Sequence, residues 1–481
     1  MNYAPLYDAL RSYYNQNIYP FHTPGHKQGR GLQLPHPMTL DLTEVEGLDN
    51  LYAPTGPIAQ AQKLAARLFG AEDTYFLVNG STVGILTAIA ATCGPEDTLL
   101  VARNSHRSVY SGMIMTGVKP KYIMPDVLTE YGLTGGISPK EVENKLAQYP
   151  EAKAVLLVSP TYEGFTSDLS TIAQMVHEQD KILIVDEAHG AHFKFHVDFP
   201  MTALQAGADI VIQSTHKTLP AFTQTAMLHV QGHRVSRDKI RERLSLFQSS
   251  SPSYLFMAGL DYCRYQLEKR GREDFNLFLE SLYFFREKLA SLQVLELVGK
   301  EVIGQGSIAD VDLSKILLST RYADTYGTEV ERILRRSHQI QMELSGPRHL
   351  VGISTVSDET SGFKRLVDSL FTVDRLLKKK EFSTDILSKS LSIPKTRYTP
   401  REANFMEHSP CLMADSVGEA IGEFVIPYPP GIPLLVPGEV MTEELLKEIQ
   451  DLLKGGVSLI GMGDTTGETI QRLEDRKRGA P

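Results

Sequence analysis

Residues Asp209 to Val230 read DIVIQSTHKTLPAFTQTAMLHV. The apolar run Ile210 to Ile212 stops at a polar knot, Ser214, Thr215, His216, Lys217 and Thr218, and apolar sequence resumes at Ala226. A buried strand ending in such a knot puts a lysine where its charge is costly, so Lys217 demands a use.

Upstream of this stretch, helix and strand signals alternate. In PIAQAQKLAARLFG, Ile58, Ala61, Leu64, Ala65 and Leu68 share one helical stripe, and Gly70 stops it. Then follow the strand-like TYFLV (74–78), NGST, the helical TVGILTAIAAT, the strand-like TLLVA (98–102), NSHRS and the apolar YIM (122–124). KAVLLVS (153–159), a helix from about Leu169, KILIVDEAH (181–189), a short helix at MTALQAGA and DIVIQS complete the series. Strands apolar on both faces and separated by helices imply a mostly parallel, covered sheet, hence an α/β domain. Beyond about Leu246 the texture changes. A long helical region, Ser253 to Leu292, leads to strands at KILLS (315–319) and HLVGIST (349–355), separated by the helix TEVERILRRS. YPPGIPLLVPGE (428–439) is turn-rich, and the tail after Gly463 reads as solvated or disordered.

Composition narrows the function. A chain of 481 residues with net charge −9 and no long basic block argues against nucleic acid or an anionic membrane as partner and favours a small polar substrate. The N-terminal MNYAPLYDALRSYYNQ has neither a signal-peptide pattern nor a membrane-spanning length, so a cytoplasmic protein is expected. Cys93, Cys263 and Cys411 lack CxxC spacing, which suits reduced thiols rather than disulfides or zinc.

Parallel sheets bind ligands outside the carboxyl ends of their strands. The polar clusters lie at those ends: Asn79 to Thr82, Asn104 to His106, Ser159 to Tyr162, Asp186 to His189, and Ser214 to Lys217. Asn-Gly-Ser-Thr enters a helix, so Ser81, Thr82 and the free amides can cradle a phosphate; an ordinary N-cap explains the same residues. Asp186 closes an apolar strand and needs a partner, either a protonated ring nitrogen or a cation of the protein. Ala188 is small enough to admit a flat ring on the same side, and His106 can stack on the other face or simply be a surface residue. A partly desolvated Lys217 can turn nucleophilic and form an imine with an aldehyde. Together these groups are what pyridoxal 5'-phosphate requires, and their order along one α/β domain argues against a surface lysine.

Other readings use the same letters. DEAH occurs in helicases, but the chain has no G-x-x-x-x-G-K-[ST] phosphate loop. His189, His192 and His196 can be metal ligands or can line a pocket; their spacing is not HExxH, and no metal is assigned. A non-catalytic binding module has no need of Asp186 and Lys217 together.

The chain resembles the Orn/Lys/Arg decarboxylase family of fold-type-I pyridoxal phosphate enzymes, in the compact form without an N-terminal receiver-like domain. The likeness rests on FHTPGHKQG (21–29), DLTEVEGLDNLYAPTGPIAQAQ, FLVNGSTVG, NSHRS, SPTYEG, VDEAHGAH, STHKTLPAFTQT, SGFKRLVDSL and PYPPGIPLLVPGE. It implies an aminotransferase-like, mostly parallel seven-stranded sheet covered by helices, with smaller α+β C-terminal domains. The boundaries expected are an arm (1–30), a large cofactor domain (31–300), a small α+β domain (301–390) and the family's C-terminal domain (391–481). By position, the resemblance makes Lys217 the Schiff-base lysine, Asp186 the partner of the pyridinium nitrogen and His106 the stacked residue. Ser81, Thr82 and Ser214 become phosphate ligands, His216 sits by the substrate-derived atoms, and Glu439 meets the substrate's distal cation. TPGHK is placed near the site mouth or a dimer contact. The implied activity is decarboxylation of a basic amino acid, arginine to agmatine ahead of lysine or ornithine, by a homodimer or larger ring in polyamine metabolism. An aminotransferase or lyase would use the same Lys217 and Asp186 but anchor the α-carboxylate, with Arg401 the candidate.

Overall fold

The structure, a computed structural model, describes residues 4–380, 393–428, 433–454 and 457–474. After the helix Pro5–Asn15 comes strand β1 (Tyr19–Phe21), and seven further strands build the central sheet. They are β2 (Asp73–Leu77), β3 (Thr98–Ala102), β4 (Lys119–Ile123), β5 (Ala154–Val158), β6 (Ile182–Asp186), β7 (Ile210–Gln213) and β8 (Ala226–Val230), in the spatial order β2-β8-β7-β6-β5-β3-β4. β8 is antiparallel to both neighbours; every other pairing is parallel.

The continuous apolar strands are explained by two cores. Leu100, Leu183, Val185 and Val211 enter one core with the helices Leu169–Glu178 and Tyr254–Leu289. Leu99, Val101, Ile184, Ile210 and Ile212 face the other, under the helices Gly80–Thr92 and Arg107–Thr116. Successive residues thus point to opposite faces, and both faces are covered. Gly84 lets the helix Gly80–Thr92 approach the sheet closely: a Cβ there would lie 2.7 Å from Leu77 Cδ1 and 2.9 Å from Ile212 Cγ2.

A smaller antiparallel sheet follows, with β9 (Glu296–Leu297), β10 (Lys315–Ser319), β12 (Leu344–Ser345) and β13 (His349–Ile353) in the order β9-β10-β13-β12. Strand β11 (Ile340–Met342) pairs in parallel with β1, which ties the N-terminal arm to this part. Phe278 and Phe285 of the long helix pack on Phe363 of the helix Thr360–Leu376, ring centroids 6.3 and 5.3 Å away, so the large and small parts share a core. The C-terminal part has its own core, including Met413, Ile421, Val425, Leu435 and Ile449. Among the described residues, no helix is long and apolar enough to cross a membrane.

Two local expectations fail. MTALQAGA (201–208) is a turn, not a helix. Thr202 N donates to Gln205 Oε1 at 3.2 Å and Gln205 N to Thr202 Oγ1 at 3.1 Å, a capping box that starts a helical turn with Ala206 N on Thr202 O at 3.0 Å, but Gly207 at φ +101° ends it after that turn. The tail after Gly463 is ordered as far as residue 474: Thr469–Leu473 pairs antiparallel with His408–Leu412 and buries Ile470 and Leu473. The residues beyond 474 lie outside the described ones.

Candidate active site

The strand ends converge as the polar clusters suggest. Asp186 closes β6 and is paired in register with Val158 of β5 and Ile212 of β7, so Ser159 and Ser214 begin on either side of it. Lys217 lies on the single helical turn Thr215–Thr218, its amide bonded to Ser214 O at 3.0 Å. TPGHK is the support of this turn. Gly25 N donates to His216 O at 2.6 Å, and a Cβ on Gly25 would fall 2.6 Å from Leu219 O, so only glycine lets the two chains approach. Lys27 is fully buried and donates to the carbonyls of Pro20, His22 and Ile353 at 3.1, 3.0 and 2.7 Å, with Asp358 3.6 Å away. The arm is therefore clamped between the small sheet and the lysine turn.

Lys217 Nζ meets His189 Nε2 at 3.0 Å. Burial depresses the lysine's pKa, and the nearby Asp186 and Glu343 carboxylates oppose the shift. Asp186 accepts Ala188 N at 3.1 Å; burial raises its pKa, while Lys217 and His106 pull it back. His106 is the N-cap of the helix Arg107–Thr116, its Nδ1 accepting Ser108 N at 3.2 Å, and burial lowers its pKa despite Asp186. His216 donates Nδ1–H to Thr225 O at 2.8 Å, and burial holds it down to about 4. At neutral pH it is an uncharged ring whose Nε2 is an acceptor.

The residues present fit pyridoxal phosphate. The helix Gly80–Thr92 has no side-chain cap, because Asn79 Oδ1 instead accepts Ser249 N at 3.1 Å; its first turn, with half-buried Ser81 and exposed Thr82, is left for an anion. Ser214 Oγ, Ser105 Oγ and Asn104 Oδ1 are buried without a hydrogen-bond partner in the protein. Native proteins rarely leave such atoms unsatisfied, and a phosphate would satisfy Ser214. Asp186 and the small Ala188 are both buried at the end of β6, a carboxylate and a small side chain of the kind a flat, protonated ring would need.

Some placements differ from expectation. Glu439 is not available to a substrate: Arg103 Nη1 and Nη2 grip its two oxygens at 2.7 and 2.8 Å, and Val436 N donates to it at 2.9 Å. The preceding residues 429–432 of PYPPGIPLLVPGE lie outside the described residues. Arg401 is exposed and closes the end of the helix Arg107–Thr116, donating to the carbonyls of Ile114 and Met115 at 3.0 and 2.8 Å, so it anchors no α-carboxylate. Of the three histidines in HGAHFKFH, His189 faces Lys217, His192 meets Asp312 at 3.2 Å and His196 lies 3.8 Å from Asp198. Among the described residues no group of three or more His, Cys, Asp or Glu could hold a metal.

Two site residues were missed, and both come from the small part of the chain. Lys315, at the start of β10, brings Nζ to 3.0 Å from His189 Nδ1. Glu343, between β11 and β12, accepts Tyr162 Oη at 2.6 Å and Thr23 N at 2.7 Å. Neither sits in a polar cluster at a central strand end, so the sequence pattern offered no signal.

Comparison with known proteins places this geometry. The family model for the Orn/Lys/Arg decarboxylase major domain matches residues 4–314, and that for the family's C-terminal domain matches 384–456. Arginine decarboxylase of Bacillus subtilis is 35% identical over 484 residues, 98% of each chain, and that of Bacillus anthracis 34% over 482 residues, again 98% of each. Among solved structures, lysine decarboxylase A from Pseudomonas aeruginosa superposes with a TM-score of 0.77 at 23% identity, over 97% of this chain and 80% of that one. Fold-type-I enzymes such as the Sphingomonas wittichii serine palmitoyltransferase follow at a TM-score of 0.56 and 13% identity, over 75% of this chain and 87% of that one. The fold is thus that of the fold-type-I enzymes, and the chain belongs to the Orn/Lys/Arg decarboxylase family.

Proposed function

We propose that this protein is a pyridoxal-phosphate-dependent decarboxylase of basic amino acids, with arginine as substrate and agmatine and CO2 as products. The observation that supports it most is the half-buried Lys217 set between Asp186 and His189, beside the unpartnered Ser214 Oγ. When bound, the pyridoxal group supplies an aldehyde for the substrate amine and a ring that takes up the electron pair left on Cα as CO2 departs.

The chain's own residues do the rest. Ser81, Thr82 and Ser214 hold the phosphate, His106 packs on the ring, and Asp186 holds a proton at the ring nitrogen. Lys217 secures the cofactor and returns a proton to Cα. Neutral His216, fixed by Thr225, lies beside it as an acceptor. The basic side chain of the substrate needs a carboxylate, and with Glu439 occupied by Arg103 that role falls to Glu343. Its charge bears on Lys217, His216 and Lys315, and Tyr162 and Thr23 fix its direction. The arginine decarboxylase names of the full-length relatives support arginine over lysine. A homo-oligomer is supported by the helix Pro5–Asn15, which buries nothing and exposes Leu6, Tyr7, Leu10 and Tyr14.

Borohydride reduction after incubation with pyridoxal phosphate tests the lysine. A stable pyridoxyl group is expected on the peptide bearing Lys217. A Lys217→Ala protein that takes up the same group at equal stoichiometry overturns the assignment.

A further inference from the structure

His189 sits between two lysines, and the bridge constrains where one proton can be. Lys217 Nζ is 3.0 Å from Nε2 and Lys315 Nζ is 3.0 Å from Nδ1. The ring is held in place: Tyr162 lies against it at 4.6 Å between centroids, tilted 51°. Lys315 is held too, because its stem runs past Gly164, where a Cβ would come within 2.7 Å of Lys315 Cγ and the φ of +100° suits glycine. A neutral imidazole has one N–H donor and one acceptor nitrogen. With Lys217 protonated, Nε2 accepts and Nδ1–H must donate to a neutral Lys315. With Lys315 protonated, Nδ1 accepts and Nε2–H donates to a neutral Lys217. Both bonds form only when at most one of the two lysines is protonated, because two ammonium groups would need both ring nitrogens as acceptors.

We propose that Lys217 and Lys315 share one proton through the His189 ring, so that Lys217 can become a neutral amine inside the site without releasing a proton to solvent. In the transfer, a proton leaves Lys217 Nζ for Nε2 while the Nδ1 proton passes to Lys315 Nζ. The ring changes tautomer, and the net charge of the three groups is unchanged. The reverse movement recharges Lys217. Lys315 never touches the substrate in this scheme; it is a positioning residue that acts through His189.

The surroundings agree with the geometry. Burial, followed by the charges of Lys217 and Lys315, holds His189 far below its ordinary pKa, which keeps the ring neutral. Burial brings Lys315 down to about 8, against the pull of Asp312 and Glu343, so it can exchange a proton near neutral pH. The other charged or titratable groups bearing on the trio are Lys27, Glu163 and Asp186 and the rings of His106 and His216. Asp312 Oδ1 is engaged by His192 and Ser314 and its Oδ2 is buried without a hydrogen-bond partner, while Lys315 Nζ hydrogen-bonds to His189.

The inference rests on Lys217 being the site lysine, but not on the substrate or on turnover. Its test therefore uses the cofactor-free full chain: acetic anhydride labelling of Lys217, read by mass spectrometry across pH. Lys315→Met should raise the labelling midpoint by about one pH unit, since Lys217 loses both the alternative proton site and a cationic neighbour. Simple repulsion would do the same, so the shift is measured again in a His189→Phe background. A shift there below half of the wild-type value supports the shared proton, and a shift of half or more overturns it, because the effect then crosses space without the ring. If Lys315→Met fails to fold, Lys315→Gln, which can donate to Nδ1 but cannot take up a proton, is measured in both backgrounds against the same threshold. Retention of pyridoxyl labelling at Lys217 in these variants separates this outcome from a failure of the proposed function.

Discussion

Glu439→Gln separates a structural carboxylate from a substrate-binding one. Glu439 and Arg103 are 1% and 4% exposed, and their two parallel contacts at 2.7 and 2.8 Å join the segment after β3 to the C-terminal part. Arg103 also donates to Leu434 O at 3.0 Å and lies 4.7 Å from the Tyr122 ring centroid. At this separation the gross attraction is about 6 kcal/mol with an effective dielectric of ~20, and breaking a buried pair from one side costs about 3–5 kcal/mol net. Glutamine keeps the size and one acceptor, which points to the lower end. The expected result is about 3 kcal/mol lost in urea unfolding, with KM for basic amino acids changed less than about threefold in folded protein. Circular dichroism is the suitable probe, because the chain has no tryptophan. Replacing both partners by methionine should recover much of the loss, since no buried charge is then left alone. Unchanged stability with KM raised tenfold or more would refute the reasoning and return Glu439 to the substrate.

Two further outcomes are expected. Asp186→Asn should still take up pyridoxal phosphate, but kcat should fall at least about a hundredfold, because an amide cannot hold the ring nitrogen protonated; wild-type turnover would count against the role. His229 is buried between Thr74 and Gln213, and burial holds it down to about 3. Its folded pKa lies below the unfolded one, so its contribution is fully present above about pH 6.5 and declines by about 1.4 kcal/mol per unit as pH falls toward the folded value. The stability advantage of wild type over His229→Gln should shrink accordingly below pH 6.5, and a pH-independent difference would contradict it.

What the sequence revealed and what it hid follow from distance along the chain. Strand-end clusters are local, so the polar knot at Ser214 to Lys217, Asp186 after KILIV, and the Ser-Thr entry to a helix could be read directly, and the sheet brings the Asp186 and Ser214 ends together on neighbouring strands. Lys315 and Glu343 enter from the small sheet, and their pairing with His189 and Tyr162 depends on how two parts of the chain dock. The error at Glu439 has the same origin, since its partner Arg103 is 336 residues away and a carboxylate after PGIPLLVPG carries no mark of being already paired. MTALQAGA has helical composition and a Thr202–Gln205 capping box, and it stops after a single turn because Gly207 sits at φ +101°.

Substrate choice and bond choice are tested together by offering the wild-type protein, with pyridoxal phosphate, arginine, lysine, ornithine and a set of neutral and acidic amino acids, and measuring CO2, amine and keto acid. Amine and CO2 in equal amounts are expected from the basic amino acids alone, fastest from arginine. Keto acid without CO2, or CO2 released chiefly from a neutral or acidic amino acid, would contradict decarboxylation of a basic substrate at Lys217.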